Sequence, residues 1–125
     1  MIDPKNIALV VIGSAAGGTL RYLFSVLFQQ KEWNKLPWAT FSVNILGCFL
    51  IGMVYAITEK ANENGNPFRL LLATGFCGGF TTFSAFAQEN LQLLKSNANT
   101  TALLYITLSV VLGIFATFLG MTLFK

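Results

Sequence analysis

The densest set of groups able to handle an ion is Gly75-Phe76-Cys77-Gly78-Gly79-Phe80-Thr81-Thr82-Phe83-Ser84-Ala85-Phe86. It lies inside an apolar stretch of membrane-spanning length. Gly75, Gly78 and Gly79 put three glycines within five residues, and glycine loses the most backbone entropy on helix formation. A break in the helix is therefore expected at the glycines. In hydrocarbon, an unpaired N–H or C=O is costly, so non-helical backbone persists only where it is buried in protein, holds an ion or lines a wet cavity. Thr81, Thr82 and Ser84 suit an N-cap and can restart the helix below the break. A half-helix that starts inside a bilayer turns its positive dipole end into the protein. Carbonyls released by the break are oxygen ligands for a hard cation. No GK[ST] ending follows the glycines, so this is not a phosphate-binding loop.

Other polar residues interrupt apolar surroundings at helical spacing. Thr40 and Asn44 are i,i+4 and share one helix face. Asn44 serves either as interhelical glue or as an uncharged donor to a desolvated anion. Arg21 either snorkels to the interface or lines an aqueous vestibule that attracts anions. Phe80, Phe83 and Phe86 recur every three residues on one side of the restarted helix. Such a stripe is either plain packing or a set of ring edges, which are electropositive, turned toward an anion. Glu89 continues the series, and its role stays open. Tyr105, Ser109, Gly113 and Thr117 recur every four residues, forming either a packing seam or a line of hydroxyl donors.

The elements that must position these groups are membrane helices. The chain has 125 residues, 54% hydrophobic and 10% charged, against about 25% charged in a soluble domain. The apolar residues form four blocks of roughly 20 residues each, at 7–28, 38–57, 68–94 and 101–124. One four-span membrane domain over residues 1–125 is expected, without a soluble domain, cleavable leader, internal repeat or low-complexity segment. Residues 62–67 read as a turn. Gly13 and Gly17 make a small-xxx-small face for close helix approach. Cys48 and Cys77 fall within spans and read as packing residues. There is no histidine and no CxxC, which excludes zinc chemistry and histidine acid–base catalysis.

The net charge of +3 does not indicate nucleic acid, because the basic residues stand singly at span ends. With four spans, Lys5, Lys60, Arg69 and Lys125 face one side, and Lys31, Lys35 and Lys95 the other. Four against three is almost no positive-inside bias. The chain either carries weak topology signals or inserts both ways and pairs as an antiparallel dimer.

Over essentially its whole length the chain resembles the Fluc (CrcB) fluoride channels. The resemblance is carried by Gly17-Gly18-Thr19-Leu20-Arg21, by Thr40 and Val43-Asn44, by residues 75–86, and by the Tyr105/Ser109 track. It implies an all-α integral membrane protein of four helices, the third broken mid-membrane, forming an antiparallel, dual-topology homodimer in the lipid of the cell inner (plasma) membrane. It further implies passive, fluoride-selective export of cytoplasmic fluoride through two pores. Asn44, Phe83 and Phe86 match the fluoride path, Thr40, Tyr105 and Ser109 the polar track beside it, and Arg21 the vestibule arginine. A structural sodium ion, not transported, would be held by the main-chain carbonyls of Gly78 and Thr81. Gly113 departs from some relatives, which carry serine there, so the hydroxyl track is expected to be shorter, its place filled by water or by Thr117.

The competing reading is a small four-span proton-coupled multidrug exporter. That class relies on an acid in the first span; here the acids are Asp3, Glu32, Glu59, Glu63 and Glu89, none of them in that span. A non-transporting assembly factor would not need the mid-span glycines. No residues pair as nucleophile and base, so an enzyme is not expected.

Overall fold

The computed structural model describes residues 2–29, 36–59 and 66–125. Lys31, Lys35 and Lys60 of the charge count, Glu32 and Glu63, and residues 62–65 of the expected turn lie outside the described residues. The described residues are all helical apart from short connections. Helix α1 spans Pro4–Gln29 and α2 spans Trp38–Glu59. The third transmembrane segment is composite. It begins as α3 (Pro67–Arg69), winds as a π-helix over Leu70–Cys77, and continues as α4 (Gly78–Phe80). It resumes as α5 (Phe83–Lys95), and α6 (Asn99–Leu123) follows. Four segments are long and apolar enough to cross a membrane: Pro4–Gln29, Trp38–Glu59, Pro67–Lys95 and Asn99–Leu123. This is a multi-pass membrane protein.

Two helices start by the same local device. Asp3 precedes Pro4, and its Oδ1 accepts the Lys5 N–H at 2.9 Å. Asn66 precedes Pro67, and its Oδ1 accepts the Phe68 N–H at 2.9 Å. A capping oxygen satisfies an orphan N–H, while proline at the first helical position lacks one to satisfy. At the end of α5, Asn97 takes a left-handed conformation (φ 61°), and the Ala98 N–H closes onto the Leu93 carbonyl at 2.8 Å. Asparagine tolerates that conformation better than most residues.

Small residues let backbones touch. A Cβ at Gly13 would run into the Leu71 carbonyl oxygen, and one at Gly17 into that of Phe76. Helix α1 therefore lies directly on the π-wound stretch, as its small-xxx-small face predicts. Gly52 and Gly120 do the same between α2 and α6, against the carbonyls of Thr117 and Phe49. The buried centre holds Tyr105, Phe80 and Val43. Large apolar side chains such as Val11, Ile12, Leu103, Val111 and Ile114 face outward. That outward surface suits lipid, where apolar exposure carries no cost.

The expected position of the break is corrected. The glycines do not end the helix: Gly75 lies in the π-wound stretch, and Gly78 and Gly79 lie in α4. Gly78 keeps helical angles (φ −62°, ψ −37°). The backbone turns extended at Thr81 (φ −88°, ψ 158°) and Thr82 (φ −151°, ψ 124°). The physical reason is packing against α1. A Cβ at Gly79 would stand 2.6 Å from the Ser14 carbonyl oxygen, so glycine here admits a neighbouring backbone while staying helical. Phe80 is corrected with it. It belongs to α4, before the interruption, and packs against Phe24 and Phe76, so it does not share the face of Phe83 and Phe86.

Candidate functional site

At the interruption, backbone groups exchange helical partners for side chains. The Thr82 N–H would donate to the Gly78 carbonyl in a continuous helix. It donates instead to Asn44 Oδ1 at 2.8 Å, and Asn44 Nδ2 returns a bond to the Thr82 carbonyl at 3.1 Å. The reciprocal pair fixes the amide's orientation, because only oxygen can accept the Thr82 N–H. One N–H of the Asn44 amide remains beyond this pair. Likewise the Ala85 N–H, the helical partner of the Thr81 carbonyl, goes to the Thr82 hydroxyl at 3.2 Å, which caps α5. The Gly79 carbonyl, whose helical partner would be Phe83, accepts Arg21 Nε at 3.0 Å. The carbonyls of Gly78 and Thr81 thus lose their helical donors, whereas those of Gly79 and Thr82 gain side-chain donors.

A cavity of about 550 Å³ opens beside this region. Asn44, Gly78, Thr81, Phe83, Phe86 and Ser109 all line it, so six of the nine residues singled out in the sequence meet there. None of its lining side chains is charged. Ser109 Oγ is buried without a hydrogen-bond partner among the described residues, and its hydroxyl can serve a ligand. Phe83 is 79% exposed and stands 5.8 Å from Phe86 between ring centroids. Its ring thus stands at the edge of the cavity, touching Phe86 on one side and open on the other.

Thr40 and Tyr105 do not line the cavity; they converge on Glu89. Thr40 Oγ1 donates to Oε2 at 2.7 Å, and the Tyr105 hydroxyl donates to Oε1 at 2.8 Å. Tyr105 then meets Phe86 edge to face, with centroids 4.9 Å apart, which joins this cluster to the cavity wall. Sequence reasoning left Glu89 open. The available signal was its place three residues after Phe86, on the same side of α5.

Arg21 lies away from the cavity lining, its Nε bound to Gly79. The four-residue track of α6 divides. Tyr105 serves Glu89, Ser109 serves the cavity, and Thr117 Oγ1 bonds the Cys48 carbonyl at 3.0 Å and the Gly113 carbonyl at 3.1 Å. The track therefore ends in a packing seam. Gly113 faces Cys48, whose sulfur would lie 3.4 Å from an added Cβ.

The family model described as CrcB-like protein, Camphor Resistance (CrcB), matches residues 8–121. The chain belongs to the CrcB family. Among relatives of this CrcB chain, the fluoride-specific ion channel FluC of Phocaeicola vulgatus is 47% identical over 116 residues, covering 93% of this chain and 95% of the relative. That of Flavobacterium psychrophilum is 45% identical over 121 residues, covering 97% and 98%. That of Gloeothece citriformis is 45% identical over 120 residues, covering 96% and 97%. The CrcB match contains every site residue described above.

Proposed function

We propose that this chain forms a fluoride-selective passive channel that exports cytoplasmic fluoride across the plasma membrane. The observation that carries the reading is a largely apolar cavity without charged side chains, in which the Asn44 amide and the Ser109 hydroxyl, the latter unpartnered among the described residues, stand beside two phenylalanine rings. Fluoride is small and strongly hydrated, so a pore must replace its water with donors. Amide, hydroxyl and ring-edge donors supply positive potential without a full charge that would trap the ion. Its relatives' name, fluoride-specific ion channel, agrees with that chemistry. A proton-coupled exporter would require an acid in the cavity, and Glu89 is engaged beside it with Thr40 and Tyr105.

The conducting unit of this proposal is an antiparallel homodimer with two pores. The exposed Phe83 ring supports a second copy, because it needs one to enclose a path. The Thr40–Glu89–Tyr105 cluster forms the polar track beside the path. A structural sodium ion belongs to the same proposal. The carbonyls of Gly78 and Thr81 fit it, since their helical donors are diverted and a Cβ at Gly78 would meet nothing within 4 Å. The ion would supply fixed positive charge near the path and satisfy released carbonyls.

Purified protein in liposomes tests the function. Fluoride efflux that requires an ionophore to relieve membrane voltage, without matching chloride efflux, is the expected result. Absence of efflux, or efflux coupled to a proton gradient and an organic cation, would overturn it.

A further inference from the structure

Arg69, which opens the third segment, has no part in the site described above. Its Nε donates to Thr58 Oγ1 at 3.0 Å, and its guanidinium carbon stands 4.5 Å from the centroid of the Tyr55 ring. Thr58 is buried and held in turn by a 2.7 Å bond to the Val54 carbonyl. The guanidinium is therefore fixed by a hydrogen bond and a cation–π contact. Among the described residues its contacts are to a neutral hydroxyl and a neutral ring, not to a carboxylate.

Tyr55 lines the cavity. Asn44, Cys48, Ile51 and Tyr55 follow one face of α2 along its wall, and eleven residues of helix separate Asn44 from Tyr55 by about 16 Å. A fixed positive charge thus sits at one end of the cavity wall, and the neutral donors sit at the other. We infer that Arg69 is an anion-concentrating residue: it raises the local density of small anions at the Tyr55 end of the cavity and speeds their entry without binding them at the donors. This rests on the channel reading. A charge on a low-dielectric wall attracts counter-ions over nanometre distances. Added salt shortens that reach from about 30 Å at 0.01 M to about 8 Å at 0.15 M.

The test is single-channel fluoride current in bilayers of neutral phosphatidylcholine. Fluoride is kept low and sodium constant, and ionic strength is set with an organic-cation gluconate. Wild-type current is expected to fall as ionic strength rises from about 0.02 M to 0.3 M. Arg69→Gln is expected to carry about one third of the wild-type current at the low value and to converge on it at the high value. Arg69→Lys, which keeps the charge but not the Thr58 and Tyr55 geometry, is expected to stay near wild type. A purely structural role predicts the opposite pattern: equal losses for both variants at both ionic strengths. That result, or an unchanged Arg69→Gln current at low salt, overturns the inference. If Arg69→Gln does not fold, a wild-type current insensitive to ionic strength does so alone. Absence of any wild-type fluoride current would instead overturn the channel reading, and this inference with it.

Discussion

Asn44 holds two backbone groups of Thr82 and retains one N–H for the cavity, so its two sequence-level roles, helix glue and anion donor, are compatible. Aspartate at this position would keep the acceptor for the Thr82 N–H but set a negative oxygen against the Thr82 carbonyl. Asn44→Asp is expected to lower fluoride efflux at least tenfold and to destabilise the fold by about 1–2 kcal/mol, since interhelical bonds in membranes contribute about 0.6–1.7 kcal/mol each. Efflux from liposomes and thermal melting measure the two effects. Tyr105 places its hydroxyl on Glu89 and its ring on Phe86. Tyr105→Phe removes only the hydroxyl. A loss of about 1 kcal/mol is expected, with a severalfold drop in efflux while chloride stays excluded. Unchanged efflux would separate the Glu89 cluster from conduction.

The third segment combines three windings of one chain: a π-wound stretch that accepts α1, a short α-turn, and a helix restarted at Thr82. Its position depends on glycines that differ sharply in their surroundings. Gly17→Ala would drive a methyl into the Phe76 carbonyl, and a cost of about 1–3 kcal/mol is expected. At the next residue, a Cβ meets only the Gly79 oxygen, at 3.9 Å. Gly18→Ala is therefore expected to be neutral or to gain up to about 1 kcal/mol from helix propensity. Melting of the two variants in detergent provides the comparison, and equal losses would refute the packing account. Arg21 acts at this scale as well, because its bond to Gly79 ties α1 to the end of α4.

For the whole molecule, the features that a single protomer leaves open coincide. Phe83 projects outward, Gly78 has empty space where a side chain would be, and the Gly78 and Thr81 carbonyls lack their helical donors. The proposed dimer with a central sodium ion accounts for all three together. Replacing sodium with N-methylglucamine is expected to lower the melting temperature of the dimer by several degrees, since a ligand bound only to the folded state stabilises it by mass action. Gly78→Ala should fold as a protomer, its angles being helical, yet weaken that sodium effect. Melting curves with and without sodium, with cross-linking to report the dimer, decide the matter. A stability indifferent to sodium would remove the ion from the proposal.

Much of this protein was legible in the residues. Four apolar blocks set four helices within a few residues of their observed ends, because hydrocarbon thickness dictates segment length. Gly13/Gly17 carried a helix contact, since this is a single-face property; the caps at Asp3-Pro4 and Asn66-Pro67 are equally local but were not read as helix starts. The tertiary structure alone decided what depends on two segments meeting. The glycines announced a break but stayed helical, because α1 needed their missing side chains. The actual interruption fell at Thr81–Thr82, where Asn44 from another helix supplies the bonds that the backbone gives up. Glu89 acquired its partners only when α2 and α6 were brought beside α5. The four-residue track of α6 split because its members face different neighbours. Sequence spacing determines which face a residue occupies; only packing determines what that face meets.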